Sequence, residues 1–260
     1  MKGEYPMNEY AIITGASGGI GSAIAIKLAR EGFDLLLIGG RQADRLAETC
    51  SLCRREGVSV TSLQVDFAHP HQTEKILAEF SGSERFDTER PDASGMTAGL
   101  LVNCAGLSHI GLLQDMSTDE WLRIINVNLT SAYTMSRFVI PSMVRAKRGR
   151  ILNISSVWGK TGASCEAAYS AAKGGIHAMT KALAKELAPS GIAVNAIACG
   201  MIDTPMNACF TSEEIDNICE EIPAGRMGSP DEIADLAVLL AKAPVYLTGQ
   251  IIGADGGWQL

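Results

Sequence analysis

The chain has 260 residues, 47% of them hydrophobic and 20% charged, and its 29 acidic residues outnumber 22 basic ones for a net charge of −7. A chain of this length buries a large core without disulfide or metal staples. The acidic excess argues against a general nucleic-acid or anionic-membrane binder, and no apolar run approaches the ~18 residues of a membrane span. The opening Met1-Lys-Gly-Glu-Tyr-Pro6 lacks the apolar core of a signal peptide, so a cytoplasmic protein is expected.

Short apolar runs alternate with helical patterns. Strands are predicted at 10–14, 35–38 and 58–65, with helices at 19–31, 43–56 and 70–80. Buried strands follow at 100–103, 150–155 and 192–198, with helices at 130–147, 168–188 and 230–242. This alternation predicts an α/β fold, a single Rossmann-type doubly wound parallel sheet with helices on both faces. No linker or repeat divides the chain, so residues 1–260 read as one domain. Segment 81–98 (SGSERFDTERPDASGMTA) is polar and rich in Gly and Ser. It reads as a surface insertion at the N-terminal edge of the sheet, away from the carboxyl edge where such folds bind ligands. The seven cysteines lack framework spacing and are expected to be free thiols. Cys50 and Cys53 form one C-x-x-C inside a helix, without the second pair that a zinc site needs, so no metal is expected.

The first strand runs into Thr14-Gly-Ala-Ser-Gly-Gly-Ile-Gly21 and then directly into a helix. Gly15, Gly19 and Gly21, with Ser17 and Ile20 between them, suit a tight turn on which a pyrophosphate meets free helix N–H groups. Asp66, ending the third strand, suits an adenine amino group; capping the next helix is the other reading. Asn103-Cys-Ala-Gly106 ends the fourth strand, where small residues leave room for an adenosine or allow close strand-to-helix packing. Tyr169 and Lys173 stand four apart on one helix face, so an ammonium can lower the phenol's pKa toward neutrality for acid–base work. Ser156 ends the fifth strand thirteen residues earlier. Asn128 precedes all three, and a helix-capping amide is its alternative role.

In that order these motifs resemble the short-chain dehydrogenase/reductase family from Tyr10 to Trp258. The resemblance implies a catalytic tetrad of Asn128, Ser156, Tyr169 and Lys173. It implies cofactor contacts from Gly15, Ser17, Gly19, Ile20, Gly21, Asp66, Asn103, Ala105 and Gly106, from Tyr169 and Lys173, and from Ile202 and Thr204. Cys104 and Cys199 stand where the family has an Asn and a Pro. Within the family the segments at 149–156, 194–198, 202–206, 222–228 and 248–257 are most similar to 3-oxoacyl-[acyl-carrier-protein] reductases. That similarity implies reduction of a 3-oxoacyl thioester in fatty acid synthesis. A hydroxysteroid, sugar or polyol dehydrogenase is the nearer alternative, and a non-catalytic dinucleotide sensor the remote one. Ile38-Gly-Gly-Arg41 carries no carboxylate against a 2′-phosphate. Arg41 is therefore expected to favour NADPH, with NADH possible, unless it simply faces solvent. A homotetramer is expected from small and apolar faces at Ala132, Met135, Phe138 and Val139, and at Ala171, Ala172, Ala178 and Ala182. Arg145, Lys147, Arg148 and Arg150 suggest a basic patch for an acyl carrier protein.

Overall fold

The computed structural model describes residues 9–81 and 97–259. Seven parallel strands form one sheet in the order β3-β2-β1-β4-β5-β6-β7. Along the chain, β1 (Glu9–Thr14), α1 (Gly19–Arg30), β2 (Asp34–Gly39), α2 (Ala43–Arg55), β3 (Val60–Gln64) and α3 (Pro70–Ser81) build one half. β4 (Thr97–Asn103), α4 (Thr118–Ile125), α5 (Ser131–Ala146), β5 (Gly149–Ser156), α6 (Trp158–Thr161), α7 (Ala167–Leu187) and β6 (Ile192–Cys199) follow. The chain closes with α8 (Ser212–Glu221), α9 (Pro230–Lys242) and β7 (Ile251–Ala254). The expected insertion at 81–98 falls largely on residues outside those described.

Alternation along β1 explains why both faces are covered. Ala11 and Ile13 pack into one layer with Ile24 and Leu28 of α1 and Ile233 and Ala237 of α9. Tyr10 and Ile12 point the other way, into a layer with Met135, Val139 and Met143 of α5 and Leu187 of α7. Successive side chains of a strand face opposite ways, so a strand apolar at every position is buried on both sides. Ala132, Met135, Val139 and Ala172, expected as part of a spare apolar face, are buried within the protomer. Phe138 is half-buried, while Ala171, Ala178 and Ala182 remain exposed. Among the described residues, no helix is long and apolar enough to cross a membrane.

The sheet order places β1 beside β4, where the chain leaves one half and begins the other. At that switch point the crossovers diverge and leave a crevice beyond the carboxyl ends of the strands.

Candidate active site

The cleft, about 650 Å³, runs along the carboxyl ends of β1, β2, β4, β5 and β6. Its floor is pinned by Thr14, whose buried hydroxyl accepts hydrogen bonds from the amides of Cys104 and Ala105, each at 3.0 Å. Glycine is forced at two floor positions. Gly15 has φ +68°, and a Cβ there would stand 2.7 Å from the Cys104 carbonyl oxygen. A Cβ on Gly21 would stand 2.2 Å from the Gly15 carbonyl oxygen. α1 begins at an extended Gly18 that offers no side-chain cap, so its leading N–H groups are left for a ligand. Such a floor fits a dinucleotide pyrophosphate.

At one end of the cleft lie Arg41, Gln42, Arg45 and Asp66. Arg41 Nε donates to Asp66 Oδ2 at 3.2 Å. Asp66 Oδ1 accepts from the Ala68 amide at 3.0 Å. Burial raises the Asp66 pKa, but these two hydrogen bonds outweigh it and hold the carboxyl below its usual value. Asp66 lines the cleft, and its carboxylate closes a turn onto Ala68 rather than capping α3, which begins at Pro70. Arg41 is exposed but tethered. Arg45 was not anticipated; it sits one turn after Arg41, at the start of α2.

At the other end, Ser156 closes β5, and Tyr169 and Lys173 project from α7. The Ser156 hydroxyl hydrogen-bonds the Tyr169 phenol and accepts from the Trp158 amide at 3.2 Å. Lys173 is buried and donates to the Ile154 carbonyl oxygen at 3.0 Å, with its ammonium 5.5 Å from the Tyr169 ring centre. Burial, followed by the neighbouring Cys199 and Glu166, pushes the Tyr169 pKa above its ordinary value. The expected lowering by Lys173 is therefore not what this geometry produces. The ammonium is spent on a carbonyl, and burial pushes its own pKa down. The phenol is held in its neutral form.

Asn128 is buried in a π-turn, Asn126–Thr130, between α4 and α5. Its Nδ2 donates to the carbonyls of Leu107 (2.8 Å) and Ile124 (2.9 Å), and its Oδ1 accepts from the Leu107 amide (3.3 Å). The side chain thus clamps the strand-β4 loop from behind the cleft rather than lining it. Gly106 permits this approach, because a Cβ there would meet Asn128 Oδ1 at 3.0 Å and Lys173 Nζ at 3.7 Å.

Asn103 is the one expected cofactor contact whose side chain turns away. Its Nδ2 donates to Asn153 Oδ1 at 2.8 Å, and Asn153 donates to Thr180 Oγ1 at 2.8 Å, all buried within the fold. Strand alternation explains this, since the cleft is met only after the strand ends, at Cys104, Ala105 and Gly106. Gly15, Ser17, Gly19, Ile20, Gly21, Ile202 and Thr204 line the cleft as expected. So do Cys104 and Cys199, whose thiols burial pushes up to about 12. Their strands are separated by β5, which puts them about 10 Å apart across the sheet, beyond disulfide reach. The missing proline at Cys199 leaves the backbone ordered: its carbonyl accepts from the Val157 amide at 3.0 Å, and Gly200 donates to the Ala254 carbonyl at 3.0 Å.

The basic patch needs correction. Arg150 is partly buried and donates to the Ala243 carbonyl at 2.7 Å, so its length is used to tie β5 to the end of α9. Arg145, Lys147 and Arg148 flank the start of β5, at the sheet edge opposite the cleft.

A doubly wound sheet with a glycine-floored cleft at its switch point is the build of a dinucleotide-dependent oxidoreductase. The sequence profile of the short chain dehydrogenase family matches residues 9–215. The oxidoreductase YmfI of Bacillus subtilis, uncharacterized, is 42% identical over 97% of this chain and 99% of its own length. The 3-oxoacyl-[acyl-carrier-protein] reductase FabG of Aquifex aeolicus is 36% identical over 95% and 96%. A solved structure from Beutenbergia cavernae, assigned as an NAD(P)-dependent gluconate 5-dehydrogenase and holding NADP at low occupancy, superposes with a TM-score of 0.85. It shares 32% identity over 96% of each chain. The chain belongs to the short-chain dehydrogenase family and is an NAD(P)-dependent oxidoreductase.

Proposed function

We propose that the protein is a single-domain NADPH-dependent reductase that converts a 3-oxoacyl thioester, carried by acyl carrier protein in fatty acid synthesis, to the 3-hydroxyacyl form. The observation that carries this reading is the cleft itself, in which Tyr169, Ser156 and Lys173 share the lining with an apolar wall. That wall includes Leu107, Ile110, Met206, Phe210 and Ile218, and it suits an acyl chain. The similarity to FabG supports the same substrate class.

The bound dinucleotide supplies the hydride. Ser156 donates a hydrogen bond to the substrate carbonyl oxygen and stabilises the negative charge that develops there. Tyr169, already protonated, gives that oxygen its proton. Lys173 offsets the charge left on the phenolate, and Asn128 keeps the Leu107 loop and the space at Gly106 in place for it. Gly15, Gly19 and Gly21 hold the pyrophosphate against α1. Arg41 and Arg45 give the site two cations for a 2′-phosphate, which favours NADPH over NADH.

Arg145, Lys147 and Arg148 suit an acidic carrier, but not one serving its own cleft at the far edge of the sheet. Two copies paired antiparallel along α5 and α7 bring one copy's patch toward the other's cleft, so carrier docking and oligomerisation belong together in this reading.

The test is NADPH oxidation with acetoacetyl thioester, beside 5-ketogluconate, sugars and steroids. Turnover is expected to be fastest on the thioester. The sugar-acid alternative draws on the Beutenbergia relative, and faster turnover of 5-ketogluconate would establish it instead.

A further inference from the structure

We propose that Glu166 is a specificity-determining residue that rejects substrates carrying a carboxylate near the reacting carbonyl, so that the free 3-oxo acid is excluded and the neutral thioester accepted. The proposal rests on the thioester reading above.

Glu166 lines the cleft with Trp158 and Tyr169. It stands at the N-cap of α7, three residues before Tyr169, where a carboxylate usually caps the helix, yet its side chain makes no cap bond. Glu166 is held by its backbone alone: its carbonyl accepts from the Ser170 amide at 2.8 Å and its amide donates to the Ala163 carbonyl at 3.3 Å. Among the described residues the carboxylate has neither an ion pair nor a hydrogen bond. It is half-buried, and burial alone raises its pKa. An unpartnered, partly desolvated carboxylate is costly to the fold, and none of the proposed chemical steps uses it.

Its effect on a ligand follows from charge. Glu166 already acts electrostatically on the Tyr169 phenol, so its field reaches the reacting atoms. A 3-oxo acid would bring a second carboxylate close to the carbonyl that Tyr169 and Ser156 must hold. Two like charges in a partly desolvated cleft repel strongly. In a thioester the C1 carboxylate is replaced by an uncharged acyl group, and the repulsion is absent. Lys173 acts in the opposite sense, and removing the Glu166 charge would leave its attraction for an anion unopposed.

Acetoacetate and acetoacetamide form a matched pair of probes, alike in shape and differing by one charge. The measurement is the amide-to-acid ratio of kcat/KM at pH 8 with NADPH, for wild type and Glu166→Gln. The acid-to-amide ratio of Kd values for the NADP-loaded protein, by titration calorimetry, reads the same discrimination and requires no turnover. Glu166→Gln keeps the side chain's shape and breaks no contact. The ratio is expected to fall about tenfold or more, through a gain for acetoacetate. A ratio within threefold of wild type, including an equal loss on both probes, would overturn the proposal. Failure of the wild type to reduce acetoacetyl thioester would instead sink the functional reading, and the probe ratio would still report on Glu166.

Discussion

Tyr169 sits where burial and hydrogen bonding compete, and burial wins. A phenol held above its ordinary pKa keeps its proton through neutral and mildly alkaline pH. Reduction should therefore stay level from about pH 6 to about pH 9, whereas the reverse oxidation, which needs the phenolate, should climb with pH. Tyr169→Phe removes the proposed proton donor and should lower kcat by roughly 10²–10⁴-fold while leaving the cofactor Kd nearly unchanged. Turnover within threefold of wild type would refute the assignment. At the opposite end, Arg41 neutralises Asp66 as well as facing the ligand. Arg41→Ala both removes a cation and frees a carboxylate, two effects that act against a 2′-phosphate. It should cut kcat/KM for NADPH by roughly 10- to 100-fold and barely affect NADH. Arg45→Ala should produce a smaller loss of the same sign. A wild-type preference for NADH would overturn the cofactor assignment. Arg41 was legible because it stands two residues past the end of β2; Arg45 was not, because it reaches the cleft only through the turn of α2.

Three helices share one start signal, a hydroxyl followed three residues later by Glu. Ser117 and Glu120 open α4, Thr211 and Glu214 open α8, and Ser229 and Glu232 open α9, each pair binding the other's backbone reciprocally. α4 and α8 are short, and their apolar pattern is too brief to stand out by periodicity. The box itself was readable and would have found both. β7 was missed because four residues, one of them Gly253, do not stand out as a strand. β1, β2, β4, β5 and β6 were legible because their apolar runs are buried on both faces, whereas the half-exposed edge strand β3 was marked by the β-branched residues leading into Val65. The π-turn at Asn126–Thr130 was not, since its extra residue is accommodated by packing rather than announced by composition. Capping carries weight for the site as well. α9 braces α1, with Lys27 binding Asp235 at 2.6 Å and the Asp231 carbonyl at 2.9 Å, and α1 supplies the cleft's N–H groups. Glu232 in turn has its pKa brought down to about 2 by Arg226 and Ser229. Ser229→Ala should cost about 1 kcal/mol of stability in denaturant unfolding and raise the KM for cofactor modestly. An unchanged midpoint would show the cap to be redundant.

For the whole molecule, the alanines left exposed on α7 are the residue of the apolar faces after the protomer core has taken its share. Tyr133 on α5 is also 49% exposed. Small side chains permit close helix approach, and a closed symmetric assembly is the natural way to cover them. Light scattering at micromolar concentration should return about four times the 27.5 kDa chain mass. A monomeric mass would leave the α5–α7 face unexplained and remove the basis for carrier docking beside a partner's cleft.

Trp158 and Trp258 meet edge to face, with ring centres 4.9 Å apart and planes inclined at 65°, and both border the cleft. Trp158 opens α6 just after β5 and Trp258 follows β7, so the pair joins distant parts of the sequence at the cleft. Two of the protein's three indoles are therefore stationed where ligands pass. Their emission is a built-in optical gauge of occupancy, and it reads the cleft without any added label.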